Sequence, residues 1–584
     1  MPREPLGAPV GRTRVADLLV DTLRAAGVAR IYGVAGDSLN GITDSIRSRP
    51  DLTWVHVRHE ETAAFAAGAE SQLTGRIGVC AGSCGPGNLH LINGLYDAHR
   101  SRTPVLAIAT QVPSPEIGRG YFQETRPEIL FRECSDFLGS VAAPEQLPGL
   151  LAIALRTAIA RRGVAVIVLP GDIALAPAVG TVPILDPEPP AGTLVPARPL
   201  LERAAEIANG ASKVTLLAGI GCRAAGAELR ELARLLQAPI VHTLRGKESV
   251  EPENPFDVGM TGLIGFSSGY RAMEAADLVI LLGTDFPYRQ FYPTRATVIQ
   301  VDWRGEQIGR RTRVDLALVG DVRSTLAALR PLLTPKTDGG HLRGALDDYR
   351  AARRGLDDLA AESPTSTKIH PQYVARVVSE LAAEDAVFTC DVGTPTVWAA
   401  RYLAMNGRRR LLGSFVHGSM ANALPQAIGA QLAAPGRQVV ALSGDGGLAM
   451  LLGDLLTLGQ HHLPVKIVLF RNDSLGFVTL EMEAAGLLDF ATDLTNPDFA
   501  AIATASGLLG LTATTPGELR PMVRRILDHP GPALLQVMVD RQEMILPPSL
   551  RKEEVAGFGL FLAKAVFSGR GDEVLDLAAT AWFR

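Results

Sequence analysis

The sequence predicts an α/β protein built from three doubly wound parallel-sheet domains, followed by an amphipathic C-terminal segment. Three observations carry that expectation. Strand-like apolar runs alternate with helical patterns along most of the chain, the arrangement that builds a parallel sheet covered by helices on both faces. The alternation breaks twice, at the proline- and glycine-dense 183-PILDPEPPAGTLVPARP-199 and at the charged, strand-poor stretch 335–368. The length of 584 residues suggests about four domains of average size, and three larger ones fit it equally well.

Composition narrows the class. Hydrophobic residues make up 47% and charged residues 20%, which excludes a disordered chain despite 59 glycines. A net charge of −4 excludes binding of nucleic acid through overall basicity. The five cysteines (Cys80, Cys84, Cys134, Cys222 and Cys390) form neither a disulfide framework nor a CxxC zinc pattern, and read as reduced, buried thiols. No apolar run approaches the roughly 18 residues of a bilayer span. Asp17, Asp21 and Arg24 interrupt the region where a signal peptide needs an apolar core. The expected location is cytoplasmic or peripheral to a membrane.

The first domain, 12–182, opens with a helix capped by Thr13, carrying Ala16, Leu19, Leu23 and Ala26 on one stripe and ended by Gly27. Strands are expected at 29–34, 53–57, 77–81, 104–109 and 164–169. The second domain, 183–334, has strand candidates at 213–218, 239–243, 278–282 and 297–301. The stretch 335–368 reads as a linker. The third domain, 369–547, has strands near 386–390, 438–443, 465–470 and 533–539. The remainder, 548–584, is too short for another domain, and no tandem repeat is visible.

The strongest chemical signal is 443-SGDGGLAMLLGDLLTLGQHHLPVKIVLFRNDSLGF-477. A buried strand runs into GDGG, a helix follows, a second strand returns, and Asn472 stands at its end. In a parallel sheet the carboxyl ends of successive strands line one crevice, so Asp445 and Asn472 can meet there although they are 27 residues apart. A carboxylate and an amide oxygen are hard ligands suited to a diphosphate-bound magnesium ion, and glycines let backbone N–H groups approach phosphates. Taken alone, GDG is also a common turn. Glu60 follows the strand 53–57 and opens a helix, where an acidic residue also simply complements the helix N-terminus, as Glu61 does. In the second domain 218-AGIGC-222, 261-TGLI-264, 283-GTDFPY-288 and 301-VD-302 supply glycine turns after strands and an acid at a strand end. A dinucleotide needs both, although glycines end strands in every α/β protein.

The GDG…Asn segment resembles the thiamine-diphosphate motif. Together with 30-RIYGVAGDSLNGI-42, 58-RHEETAAFAAGAE-70, 80-CAGSCGPGNLHLINGLYDAHR-100, 119-RGYFQET-125, 258-VGMTGLIGFSSG-269 and 413-GSFVHGSMANALPQAIGAQ-431, it is similar to the thiamine-diphosphate-dependent pyruvate oxidases, in particular their membrane-associated, quinone-reducing bacterial branch. The resemblance runs from about residue 12 to the last residue. It implies a pyrimidine-binding first domain, a central FAD domain and a diphosphate-binding third domain. It implies that Asp445, Asn472 and the backbone carbonyl of Ser474 hold magnesium. Glu60, Gly418, Ser419 and Met420 would hold thiamine diphosphate, Met420 wedging it into a bent form. Gly446 and Gly447, and the run Asp473, Leu475, Gly476 and Phe477 after the metal-binding Asn472, would complete that site.

For FAD the resemblance points to Gly219 and Gly221, to Thr261, Gly262, Leu263 and Ile264, to Thr284, Asp285, Phe286, Pro287 and Tyr288, and to Asp302. A pyruvate pocket would be made of Phe122, Gln123, Val392, Phe477 and Glu481, whose aromatic walls exclude water. His90 and His99 read as structural. Two departures stand out: Arg471 replaces the first of two terminal asparagines, and Val416 replaces a polar residue.

The implied chemistry is oxidative decarboxylation of pyruvate to acetate and carbon dioxide, with electrons passing through FAD to a membrane quinone. Glu60 would serve the cofactor of a neighbouring subunit, which implies a homotetramer or at least a dimer. In the tail, Val574, Leu575, Ala578, Ala581 and Trp582 share one helical face, with Asp572 and Glu573 before them and Arg584 after. Periodicity alone, with three acids against one arginine within 572–584, favours packing on the protein's own surface. The resemblance implies a lipid-binding segment on the inner face of the cell membrane. Rival expectations are an oxygen-using oxidase forming acetyl phosphate, an acetolactate-synthase-type carboligase, and a non-catalytic membrane-binding or regulatory homologue.

Overall fold

Hydrophobic runs buried on both faces become the interior strands of three sheets. The computed structural model describes residues 13–181, 192–362, 367–541 and 560–561. The first sheet contains β1 (Arg30–Gly33), β2 (Thr53–His56), β3 (Gly78–Gly82), β4 (Val105–Gln111), β5 (Phe137–Ser140) and β6 (Val164–Pro170), in the order β2-β1-β3-β4-β6-β5. The second contains β7 (Val214–Ala218), β8 (Ile240–His242), β9 (Asp257–Met260), β10 (Leu278–Leu282), β11 (Thr297–Asp302) and β12 (Leu316–Val319), in the order β12-β11-β10-β7-β8-β9. The third contains β13 (Val387–Cys390), β14 (Arg410–Gly413), β15 (Val439–Gly444), β16 (Lys466–Arg471), β17 (Leu509–Ala513) and β18 (Ala533–Met538), in the order β14-β13-β15-β16-β18-β17. Neighbouring strands pair in parallel, as the alternation of elements predicts.

Every expected strand is present, with ends within two residues of the expected ones. Five strands were not expected: β5, β9, β12, β14 and β17, each at the edge of its sheet. The first and third sheets share one relative strand order without any sequence repeat. The central sheet, taken from β9, runs 3-2-1-4-5-6, the order of a dinucleotide-binding sheet.

The stretch 335–368, expected to be a linker, carries the 18-residue helix Gly340–Asp357. Its Ala345, Leu346 and Tyr349 pack with Val258 and Met273, so this helix covers the central sheet. The first and third domains share a core. Helix Glu60–Thr74, rich in alanine, packs on helix Ala423–Ala433, burying Ala63, Ala67, Leu424, Ala427 and Ile428 together. The approach is close enough that a Cβ at Gly429 would lie 2.1 Å from the Ala66 carbonyl oxygen. Among the described residues no helix is long and apolar enough to cross a membrane. The patterned tail 572–584 lies outside the described residues. Of the segment after 541, Phe561 is fully buried and Leu560 half-exposed.

Candidate active site

At the carboxyl ends of β15 and β16 the parallel register sets Gly444 against Phe470, which brings the residues that follow each strand together. Asp445 is 2% exposed, and burial raises its pKa. Its Oδ1 accepts the Gly446 N–H at 2.9 Å; its Oδ2 accepts the Asp473 N–H at 2.7 Å and the Asn496 amide at 2.9 Å. Three donors on a carboxylate with about four lone-pair sites leave roughly one for a cation. Asn472 Oδ1 accepts the Ser474 N–H at 3.2 Å, and Ser474 is itself buried. Among the described residues no three His, Cys, Asp or Glu side chains cluster as a metal site. The donor set is one carboxylate, one amide and backbone oxygens, which fits a hard cation sharing its coordination with a diphosphate.

Asn496 and Asp391 belong to this site and escaped the sequence reading. Asn496 Nδ2 bridges Asp445 and Asp473, donating to Asp473 Oδ1 at 2.8 Å. Asp391 directly follows β13, and its oxygens accept the Ala423 N–H at 2.9 Å and the Gly444 N–H at 3.2 Å; burial pushes its pKa up to about 7. A Cβ at Gly447 would sit 2.5 Å from Asp391 Oδ2, so the last glycine of GDGG is required by that buried acid. Asp391 stands directly after a strand, the one signal that marked it. Asn496, in an irregular loop, carried none.

Arg471, which stands in place of the first terminal asparagine, is well anchored. Its Nε donates to Asp473 Oδ1 at 2.9 Å, its Nη1 to the Pro497 carbonyl at 2.9 Å and to Gln536 Oε1 at 3.2 Å. It fastens the 493–498 loop over the Asp445 cluster. Met420 reaches the same place: its Cε lies 3.4 Å from where a Cβ would stand at Gly446. Helix Thr394–Tyr402 starts at the neighbouring β13 loop, and a Cβ at Gly476 would be 3.5 Å from Thr394 Cγ2. Val416, in the loop before Met420, is exposed.

Glu60 is 7% exposed, at the first turn of its helix, and its Oε2 pairs with His90 Nδ1 at 2.9 Å. His90 in turn stacks on His59 with ring centroids 4.3 Å apart. His90 was expected to be structural; here it touches the key carboxylate. No hydrogen bond joins Glu60 to the Asp445 cluster within the chain among the described residues. Of the expected substrate wall, Gln123 lies beside Cys84 (Sγ to Oε1 3.8 Å), and Phe477 packs at the edge of the third domain's core. Phe122, next to Gln123 in sequence, is 78% exposed. Val392 is half-buried and Glu481 exposed.

The central crevice opens at the switch point between β7 and β10. The Gly221 N–H donates to the Gly283 carbonyl at 3.0 Å, closing the two glycine loops on each other. Thr284, Phe286 and Tyr288 follow β10 and Asp302 ends β11 at the same edge, with the Thr261 loop after β9. Phe286 and Tyr288 rings stand 5.4 Å apart. Asp302 is 1% exposed; burial, then the neighbouring Asp285, push its pKa up to about 7. Arg304 Nη2 lies 3.7 Å and Arg102 Nη2 3.8 Å from Asp285 Oδ2. Thr261 Oγ1, Arg304 Nε and Nη1, and Arg311 Nε are buried without a hydrogen-bond partner. Arg304 Nε also lies 3.4 Å from Asp302 Oδ1 as an ion pair, and buried donors that lack a hydrogen bond beside glycine turns suit a polyanionic nucleotide. The crevice also touches the third domain: Arg401 Nε donates to the Ile264 carbonyl at 3.0 Å and Nη2 to that of Gly265 at 3.2 Å. Burial, and then the charge of Glu481, raise the pKa of Tyr288.

Comparison with known proteins matches three successive family models. Residues 13–129 match the N-terminal TPP-binding domain of thiamine pyrophosphate enzymes, 201–329 their central domain, and 391–537 their C-terminal TPP-binding domain. The chain is 38% identical to a putative thiamine pyrophosphate-containing protein of Bacillus subtilis (strain 168), over 96% of this chain and 97% of that one. The chain belongs to the thiamine pyrophosphate enzymes. This thiamine pyrophosphate enzyme is also 33% identical to a pyruvate oxidase of Lactiplantibacillus plantarum, over 83% of this chain and 81% of that one. It is 31% identical to acetolactate synthase 1, chloroplastic, of Oryza sativa, over 92% and 86%. The β13, β15 and β16 crevice lies in the matched C-terminal TPP-binding domain, and Glu60 in the N-terminal one.

Proposed function

We propose that this enzyme oxidises pyruvate to acetate and carbon dioxide, using thiamine diphosphate, magnesium and FAD, and hands the two electrons to a membrane quinone. The observation that carries the redox part is the central sheet: dinucleotide-binding strand order, with buried donors that lack a hydrogen-bond partner in the segments after β9 and β11. Bound, thiamine diphosphate would supply the electron sink that lets carbon dioxide leave, and FAD the two-electron acceptor. Asp445, Asn472 and the Ser474 carbonyl would hold the magnesium-bound diphosphate, and Met420 would bend the cofactor. Glu60 would hold a proton at the aminopyrimidine ring, with His90 orienting its carboxyl group. Gln123, Val392, Phe477 and Glu481 would face pyruvate, and the apolar walls would favour loss of its charge.

In the balance, pyruvate and water give acetate, carbon dioxide, two protons and two electrons. The charge of Glu481 acts on Tyr288, which supports a short route for those electrons between the pocket and the central crevice. The purified protein should be yellow, bleach under anaerobic pyruvate with thiamine diphosphate and magnesium, and recolour with a quinone analogue. No bleaching would reject the reading. The near-equal similarity to a pyruvate oxidase and an acetolactate synthase makes the product decisive: acetate supports the proposal, whereas acetyl phosphate or acetolactate replaces it. We place the enzyme as a homotetramer on the inner face of the cell membrane, with the 548–584 segment meeting lipid.

A further inference from the structure

Helix Pro86–Ser101 carries a polar stripe that the proposed chemistry does not use. Asn93, Asp97 and Ser101 stand four residues apart on one face. Asn93 Nδ2 donates to Ser419 Oγ at 2.8 Å and its Oδ1 pairs with His417 Nε2 at 2.8 Å. Asp97 is 3% exposed; its Oδ1 accepts from Ser414 Oγ at 2.8 Å and its Oδ2 from Gln426 Nε2 at 3.3 Å. Ser414 closes the loop that follows it. Its carbonyl accepts the Gly418 N–H at 2.7 Å and its Oγ accepts the Ser419 N–H at 3.1 Å. At the far end of the stripe, Arg245 of the central domain donates to the Ser101 carbonyl at 3.0 Å. A buried carboxylate is costly, and this one accepts two hydrogen bonds across a domain boundary, one from Ser414 at the base of the 414–420 loop and one from Gln426 in helix Ala423–Ala433.

We propose that Asp97, assisted by Asn93, is a positioning residue: through Ser414 it fixes the loop conformation in which Gly418, Ser419 and Met420 meet the thiamine cofactor. The inference rests on the reading of that loop as cofactor-holding and is independent of pyruvate or quinone. It is tested on the full chain with Asp97→Asn and Ser414→Ala, singly and together, titrated with thiamine diphosphate at fixed magnesium by intrinsic fluorescence. Each single variant should bind about tenfold more weakly, the loss of one charge-assisted hydrogen bond, with FAD content unchanged. The double variant should be no weaker than the poorer single one, because both cut the same chain of contacts.

Affinity within about twofold of the parent for Asp97→Asn, or penalties that simply add, would overturn the proposal. So would a penalty confined to the melting temperature of the cofactor-free chain, which marks a merely structural role. If Asp97→Asn does not fold, Asn93→Ala, which reaches the same loop through Ser419 and His417, must show the loss, and unchanged affinity there overturns it. A parent chain that does not bind thiamine diphosphate overturns this inference together with the reading beneath it, whereas a parent that binds it without oxidising pyruvate leaves the inference standing.

Discussion

Gly447 and Asp302 show how single residues are constrained by burial. A side chain at 447 meets Asp391 Oδ2 at 2.5 Å in a space with no slack, so Gly447→Ala should cost about 1–3 kcal/mol of stability and weaken thiamine diphosphate binding. Denaturant melts of the cofactor-free chain and a cofactor titration measure the two effects. Asp302 holds its proton up to about pH 7 in the folded chain, against an ordinary value of 3.8. Between those two values the folded state binds a proton that the unfolded state has lost. Stability from this group is therefore fully present below about 3.8 and falls as pH rises through the window, by at most about 4 kcal/mol. Asp302→Asn should flatten that decline and raise the melting temperature of the FAD-free chain at pH 8 while weakening FAD retention. An unchanged pH slope would contradict the assignment.

Edge strands are where element-scale reading failed. The interior strands β4, β6, β7, β10 and β15 are almost wholly buried and read as continuous apolar runs. The missed β5, β12 and β17 are only partly buried, so no strong pattern marks them. The helix Gly340–Asp357 hid behind its charge: its fully buried face is narrow, Leu342 and Ala345, with Leu346, Tyr349 and Leu356 partly buried beside it and charged residues such as Arg343, Asp347 and Arg350 exposed. At this scale the link between the central crevice and the third domain is Arg401, which grips the 261–265 loop from helix Thr394–Tyr402. Lysine cannot reproduce its two-pronged donation. Arg401→Lys should lower FAD content after gel filtration, read from the flavin absorbance, with thiamine diphosphate affinity near the parent's.

For the whole molecule, the shared core between helices Glu60–Thr74 and Ala423–Ala433 makes the first and third domains one packed body. Yet Glu60 and Asp445 are not linked by a hydrogen bond within it. If the site is completed between chains, inactive Glu60→Gln and inactive Asp445→Ala proteins, dissociated and reassembled together, should recover a fraction of parental turnover. No recovery would assign both residues to one chain's site. The tail makes a separate prediction. With pyruvate present, the full-length enzyme should co-sediment with anionic liposomes more strongly than a chain cut at residue 560. Equal binding would remove the lipid-binding proposal.

The sequence by itself determined the α/β class, the three sheets and the Asp445–Asn472 pair, because continuous apolar strands and the turns after them are local patterns. The motif segments also pointed to the thiamine family. Only the tertiary structure decided the edge strands, the 3-2-1-4-5-6 order of the central sheet, and the partners Asn496, Asp391, His90 and Asp97. Those four act through contacts between distant segments, Asp97 across a domain boundary and the others within one domain, and no spacing in a linear chain marks a hydrogen bond that forms only when such segments meet.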